Sequence, residues 1–197
     1  GTELFNSVNG EKVAIVDTKG INYEQALDFG RTVGYKNLSE MTFYDRGQML
    51  KDVALYLLER KKKYYETSYK TGATHADSWV DIEGGFGTFF TYSGLAKRML
   101  PNTPFWVDGD TQKISANGTF LGTHILTPSE GVSVQLNAYN FPVWGMLEKL
   151  STSLLAGVPS VVKPATPTSF LTHLVFQDII ESRILPEGAL QLICGSA

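Results

Sequence analysis

Several features that define other classes of protein are missing from the sequence. It has one cysteine, Cys194, so it offers neither an internal disulfide framework nor a multi-cysteine zinc site. No apolar run approaches the ~20 residues that cross a bilayer, and the first residues lack the charged-then-apolar pattern of a secretory leader. The glycine-rich motif G-x-G-x-x-G and the P-loop are also absent. Because a lone cysteine suits a reducing compartment, we expect a cytoplasmic protein without a membrane partner.

Strong charge of either sign is lacking as well. The net charge is −3, and the one basic cluster spans residues 60–63. We interpret this cluster as cations at a helix end, where they complement the helix dipole. A nucleic-acid surface is the alternative, but no second basic stripe accompanies the cluster, so we expect no nucleic-acid partner. The three histidines share no metal spacing, and we predict no metal site.

What is present is an ordinary globular composition, with 43% hydrophobic and 19% charged residues. Residues 1–102 have the pattern of a hairpin followed by helices. Asn9-Gly10 predicts the hairpin turn, because both residues tolerate positive φ. Ile21 begins a predicted helix that ends near Gly34. The sequence starts without Met and reads like the interior of a longer protein, so we expect a fragment.

Capping signals mark the two longer helices. Thr42 predicts an N-cap with Asp45 as its capping-box partner, and Gly72 predicts the end of that helical region. Asp77 predicts the cap of a third helix, which we expect to be interrupted at Gly84-Gly85.

Residues 103–131 change character, because helix formers become scarce. Asp108-Gly109-Asp110 and Asn117-Gly118 predict turns, and residues 119–125 predict a short strand. We expect a β-ribbon that leaves the domain and pairs with a partner subunit.

From residue 132 onward the pattern is α/β. Strands are predicted at residues 132–136, 158–163 and 190–194, with an intervening helix at residues 140–156. Thr166-Pro167 predicts the start of the next helix, with Thr at the cap. This βαβαβ order is one half of a doubly wound parallel sheet. Half a sheet would expose an apolar edge, which again favours a fragment.

Ligands of such sheets bind beyond the carboxyl ends of the strands. Three ends are predicted to converge, at residues 137–140, 163–166 and 195–197. Asn140 has two interpretations, a helix N-cap through its oxygen or an oxyanion donor through its NH2 group. Lys163 is either a solvent-facing strand end or a cation for ribose hydroxyls or phosphate. Neutral Thr166 permits a 2′-phosphate that an acidic side chain would repel.

Three segments resemble the aldehyde dehydrogenase superfamily: Asn140-Phe141-Pro142 after a strand, then Leu154-Leu155-Ala156-Gly157, then Val161-Val162-Lys163-Pro164-Ala165. The resemblance implies that Asn140 is the oxyanion-hole asparagine and Lys163 the lysine at the cofactor ribose. Thr166 stands where NAD-preferring members carry Glu, which implies NADP rather than NAD. The remaining cofactor-binding positions that it implies are Leu136, Asn137, Ala138, Tyr139, Pro164, Ala165 and Gly195.

A narrower similarity covers residues 71–85, 137–150 and 190–197. These segments are similar to the aldehyde dehydrogenase half of bifunctional enzymes of phenylacetate degradation, which carry a C-terminal enoyl-CoA-hydratase-like domain. The similarity implies a CoA-linked semialdehyde as substrate and a homo-oligomer built from dimers through residues 103–131. Semialdehyde dehydrogenases of aerobic benzoyl-CoA breakdown share much of the pattern. A non-catalytic module with a degenerate dehydrogenase fold is a further alternative.

The resemblance also shows what is missing. Family members use a cysteine nucleophile and a glutamate base that lie about a hundred residues or more beyond the position of Asn140. Cys194 aligns with the third strand, where a buried cysteine is usually inert. We therefore expect the 197 residues alone to be inactive.

Overall fold

The computed structural model describes residues 1–195, which form a mixed helix and sheet structure. The strands are β1 (Thr2–Phe5), β2 (Lys12–Val16), β3 (Trp106–Lys113), β4 (Leu121–Leu126), β5 (Ser133–Leu136), β6 (Ser160–Lys163) and β7 (Leu190–Leu192). The α-helices are α1 (Tyr23–Phe29), α2 (Tyr35–Ser39), α3 (Phe43–Leu58), α4 (Lys61–Ser68), α5 (His75–Met99), α6 (Trp144–Leu155) and α7 (Ser169–Ser182). A short π-helix (Gly30–Gly34) joins α1 to α2, and 3₁₀ turns (Tyr69–Thr71, Thr166–Thr168) follow α4 and precede α7.

The N-terminal hairpin has the predicted form. β1 and β2 pair antiparallel, and the turn between them contains Gly10 at φ +74°. The helix predicted to end near Gly34 instead runs on through the π-helix and α2. A Cβ at Gly34 would lie 2.2 Å from the carbonyl oxygen of Gly188. Only glycine permits this backbone contact, which seats the helix against the loop before β7.

The predicted helix caps are confirmed at α3 and at Gly72 but not at α5. Thr42 and Asp45 form the predicted capping box at α3, and Gly72 ends its helical region in the left-handed conformation at φ +89°. At α5 the N-cap is Thr74, and Asp77 is its partner three residues on. The prediction of Asp77 as the N-cap was therefore wrong, because Asp77 is the N3 residue of the capping box and Thr74 is its N-cap.

Helix α5 runs without interruption through Gly84-Gly85, contrary to the sequence-based prediction. The two glycines leave space for α6, because a Cβ at Gly84 would lie 2.9 Å from the ring of Trp144. Close helix packing therefore explains this glycine pair. The apolar core lies where α3, α5, α6 and α7 meet, and its fully buried members include Leu50, Leu57, Phe86, Leu147, Leu150 and Val175. In residues 1–195 no helix is long and apolar enough to cross a membrane.

The basic cluster lies at the junction of α3 and α4 rather than at the end of one helix. Lys61 contacts Glu83 at 2.9 Å, and Lys63 contacts buried Asp178 at 2.6 Å. These ion pairs connect α4 to α5 and α7, which gives the cluster a structural role.

The ribbon predicted at residues 103–131 is a two-stranded antiparallel sheet of β3 and β4. Asn117-Gly118 lies in the connecting turn, as predicted, with Gly118 at φ +71°. Asp108-Gly109-Asp110 is instead an irregularity inside β3, where the register with β4 shifts. Positive φ at Gly109, +75°, suits a β-bulge as well as a turn, so the motif alone did not distinguish them.

The C-terminal part has the predicted βαβαβ topology. β5, β6 and β7 form a parallel sheet in the order β5-β6-β7, with α6 and α7 as the crossovers. Leu190 on β7 packs into the core, while Gln191 on the opposite face donates to the carbonyl of Ala26 on α1 at 2.7 Å. Helices thus lie against both faces of the sheet.

Candidate functional site

The carboxyl ends of the three parallel strands meet, as the topology predicts. The N–H of Asn137 donates to the carbonyl of Lys163 at 3.1 Å, and that of Ile193 to Val162 at 2.9 Å. Side chains continue the contact, since the Thr166 hydroxyl donates to the Gly195 carbonyl at 2.9 Å. Of the third predicted end, Ser196 and Ala197 lie outside the described residues.

Asn140 is exposed at this edge and does not cap a helix. Helix α6 begins at Trp144, four residues later, and its N-cap position is Val143, which has no capping side chain. Among residues 1–195 the side chain of Asn140 has no hydrogen-bond partner. The capping interpretation was therefore wrong, and the amide of Asn140 is free to bind a ligand.

The start of α6 is capped from another helix, by Asp81 of α5. Its Oδ1 accepts from the N–H groups of Val143 and Trp144 at 3.1 and 2.8 Å, and its Oδ2 from Val143 at 3.3 Å. Burial raises the pKa of this carboxyl to about 6, although the two N–H donors oppose the rise. Sequence reasoning missed Asp81, because it lies inside one helix and acts on another more than 60 residues away.

Two threonines before and within α7 hold the same segment. The hydroxyl of Thr168 donates to the Tyr139 carbonyl at 3.0 Å, and that of Thr172 to the Pro142 carbonyl at 3.0 Å. Both threonines are buried. Periodicity indicated where α7 lies but gave no sign that these hydroxyls reach the segment after β5.

Lys163 is half-buried at the end of β6, and its Nζ donates to the carbonyl of Pro164 at 3.1 Å. No carboxylate within residues 1–195 forms an ion pair with it. An ammonium group has three donors, so two stay available for ribose hydroxyls or a phosphate. The donor set at this strand end therefore fits the anionic and polar groups of a dinucleotide. Pro164 is buried and Ala165 half-buried in the following turn.

Thr166 was predicted as a helix cap, but it is the first residue of a 3₁₀ turn and caps nothing. Its hydroxyl instead joins this turn to Gly195, which is buried at φ +139°. A Cβ at Gly195 would lie 2.5 Å from Cγ2 of Thr18, so the close approach requires glycine.

Apolar side chains are exposed between β5 and Asn140. Leu136 is 73% exposed and Tyr139 is 66% exposed, and Ala138 is exposed between them. Asn137 differs, because both polar atoms of its side chain are buried without a hydrogen-bond partner within residues 1–195. The segment after β5 therefore offers apolar contact, while Lys163 supplies the charge at the neighbouring strand end.

A groove of about 290 Å³ opens beside Asn140. Ala138, Asn140 and Phe141 form one side, and Trp144, Glu148 and Lys149 of α6 the other. Its size is close to the lower limit for small-molecule sites. A larger depression of about 500 Å³ lies between α1 and β7, but it shares no lining residue with the strand ends.

Cys194 lies half-buried at the end of β7. Burial raises the pKa of its thiol, and the nearby Lys163 only partly offsets this rise. A thiol with a raised pKa is a poor nucleophile at neutral pH, as expected for a structural cysteine. Within residues 1–195 no three His, Cys, Asp or Glu side chains are grouped so as to hold a metal ion.

A parallel sheet with cationic, amide and apolar groups at its carboxyl edge is typical of nucleotide-binding α/β proteins. The family model of the aldehyde dehydrogenase family matches residues 2–197. The chain therefore belongs to the aldehyde dehydrogenase family, and the resemblance seen in its motifs is confirmed.

One curated relative is the 3,4-dehydroadipyl-CoA semialdehyde dehydrogenase of Aromatoleum evansii. It is 36% identical over 198 residues, which cover 100% of this chain and 38% of the relative. The chain thus spans well under half the length of this enzyme.

Solved structures agree on the fold. An E. coli NADP-dependent enzyme has a TM-score of 0.81 at 20% identity, covering 99% of this chain and 38% of that one. Betaine aldehyde dehydrogenase from Staphylococcus aureus, solved with NAD⁺, has a TM-score of 0.75 at 22% identity, with coverage of 99% and 38%. These likenesses confirm the predicted fold class, the N-terminal part of an aldehyde dehydrogenase fold.

Proposed function

We propose that this chain is part of an NADP-dependent aldehyde dehydrogenase that oxidises a CoA-linked semialdehyde to the acid. The observation that carries the proposal is the free amide of Asn140, exposed at a strand end beside a groove. The substrate class is suggested by the relative from Aromatoleum evansii, whose name specifies a CoA-linked semialdehyde.

The proposed role of Asn140 follows from the reaction. A cysteine thiolate adds to the aldehyde carbon, and the carbonyl π electrons move to the oxygen. The NH2 group of Asn140 donates to that developing oxyanion and changes no charge in doing so. NADP⁺, held by Lys163 beside Thr166, would supply the hydride acceptor. Loss of hydride from the adduct would leave a thioester, and water would cleave it to the acid and free the thiolate. The thiolate and the base for the water are expected from residues outside this sequence, since Cys194 is a structural cysteine.

The cofactor proposal depends on Lys163 and Thr166. Within residues 1–195 Lys163 has no carboxylate partner, and neutral Thr166 adds no charge that would repel a 2′-phosphate. Leu136, Asn137, Ala138 and Tyr139 would line the nicotinamide side, largely through their backbone. Pro164, Ala165 and Gly195 would shape the turns around the dinucleotide.

Exposed apolar side chains on β4 and just before it support an oligomerisation ribbon. Phe120, Leu121, Ile125 and Leu126 are each more than half exposed. Exposed apolar surface of this extent favours a protein partner, and we propose a homodimer as the basic unit. Cytoplasmic location stays a prediction from the single cysteine.

The test uses the full-length enzyme and 3,4-dehydroadipyl-CoA semialdehyde as the probe. We expect kcat/KM to be at least tenfold higher with NADP than with NAD. Equal efficiency, or preference for NAD, would contradict the role given to Thr166. Free short-chain aldehydes serve as the control, and equal efficiency with them would contradict a CoA-linked substrate.

Two alternatives are separated by the rest of the gene. A C-terminal hydratase domain favours the bifunctional enzyme of phenylacetate degradation, and its absence favours the benzoyl-CoA pathway enzyme. A gene product that lacks both the cysteine and the glutamate favours a non-catalytic module.

A further inference from the structure

The segment that carries Asn140, residues 139–143, is fixed by three buried side chains from other elements, and we name it the Asn140 loop. Asp81 of α5 binds its end, Thr168 binds the residue before Asn140, and Thr172 binds Pro142. Asp81 is 4% exposed, Thr168 8% and Thr172 0%. Among the described residues, each of these side chains bonds only to backbone groups of the loop or of the first residue of α6.

The contacts flank Asn140 on both sides. The bonded carbonyl of Tyr139 lies immediately before it, and the bonded carbonyl of Pro142 lies two residues after it. Asn140 itself has no hydrogen bond within residues 1–195. The position of its side chain therefore depends on the conformation of the loop backbone. The hydrogen bonds to the neighbouring carbonyls of Tyr139 and Pro142 therefore set the direction of the Asn140 amide.

Burying a polar side chain in such an environment costs free energy. A buried carboxylate or hydroxyl is tolerated only when it is hydrogen-bonded, and an apolar residue of similar shape would fill the same space. Local capping explains one of the three contacts, since Asp81 satisfies free N–H groups of α6. Helix capping does not explain Thr168 and Thr172. Their buried hydroxyls donate to carbonyl groups of the loop rather than to a helix end.

We propose that Asp81, Thr168 and Thr172 are positioning residues, which hold the Asn140 loop so that the Asn140 amide points at the developing oxyanion. The proposal rests on the proposed function of Asn140. Donors that are fixed before the reaction need no reorganisation in the transition state, and a displacement of about 1 Å can cost ~10²-fold in rate.

The test is a double-mutant cycle in the full-length enzyme with NADP and 3,4-dehydroadipyl-CoA semialdehyde. Thr168→Val removes the hydroxyl and keeps the shape, and the rate of NADPH formation in a single turnover is measured. We expect about a tenfold loss with the KM for NADP nearly unchanged, and no further loss when Asn140→Ala is already present. Thr168→Ser, which restores the hydroxyl, should recover most of the rate.

Thr152→Val is the matched control. The hydroxyl of Thr152 is exposed on α6 and donates to the carbonyl of Lys149 in its own helix at 2.9 Å. It makes no bond to the Asn140 loop, so its loss should leave the rate near that of wild type.

The outcomes separate the two proposals. If Asn140→Ala lowers the rate and Thr168→Val lowers it by the same factor in both backgrounds, the positioning role is wrong and the oxyanion role stands. If Asn140→Ala leaves the rate unchanged, the oxyanion role fails and the positioning role fails with it. Should Thr168→Val not fold, Thr172→Val takes its place in the cycle under the same criteria.

Discussion

The buried carboxyl of Asp81 predicts a pH dependence of stability that one substitution should remove. Its pKa in the folded protein is raised from 3.8 to about 6 by burial. The folded state therefore binds the proton more tightly than the unfolded state does. This contribution to stability is complete below the unfolded pKa and is lost as the pH rises through the folded value. Asp81→Asn keeps an oxygen that accepts from Val143 and Trp144 but does not titrate.

The size of the effect follows from the shift. About two pKa units at 1.36 kcal/mol each give roughly 3 kcal/mol in all, of which about 1.4 kcal/mol falls between about pH 5 and pH 7.5. In a full-length enzyme of which this chain makes up about 38%, as it does of the Aromatoleum evansii relative, that corresponds to roughly 1–2 °C in melting temperature.

The assay is thermal melting of the full-length wild type and Asp81→Asn at matched pH values. Asp45, Asp77 and Glu83 have lowered pKa values and act in the opposite direction, but they are common to both proteins and cancel in the difference. We expect the wild type to lose stability relative to Asp81→Asn as the pH rises. Parallel melting curves over this range, or a difference that grows in the other direction, would refute the reasoning.

Three further substitutions test the packing and the cofactor site. Gly34→Ala should destabilise the protein by about 3 kcal/mol or more, because its Cβ would meet backbone atoms of Gly188 at 2.2 Å, whereas Gly87→Ala on α5 meets nothing within 4 Å and should stabilise it by ~0.5–1 kcal/mol. Chemical denaturation measures both, and equal effects would contradict the packing at Gly34. Thr166→Glu places a carboxylate at the proposed 2′-phosphate position and should move the ratio of kcat/KM for NADP over NAD at least tenfold toward NAD. An unchanged ratio would place the 2′-phosphate away from residue 166.

The fold was predictable wherever the signals are local. Alternating and helical periods located the sheet and the helices, and Asn9-Gly10, Thr42 and Gly72 marked turns and ends through their own backbone or side-chain preferences. Glycines were the least certain signals, because a glycine also serves close packing. Gly84-Gly85 was predicted to interrupt a helix that is in fact continuous. The missing side chains of the two glycines leave space for Trp144.

The site was predictable only in part, because only some of its contacts leave local signals in the sequence. The parallel topology predicted that the strand ends meet, and the motifs indicated Asn140 and Lys163. Local rules also gave Asn140 a capping role as one of its two interpretations, since Asn before a helix is often a cap. That role belongs to Asp81, whose distance along the chain from α6 leaves no pattern in the sequence.

The most direct test of the account is the turnover of Asn140→Ala in the full-length enzyme with NADP and 3,4-dehydroadipyl-CoA semialdehyde. Loss of one oxyanion donor predicts a fall in kcat of about 10²–10³-fold, with folding and cofactor affinity near those of wild type. A kcat close to that of the wild type would contradict the assignment of Asn140 and the function built on it.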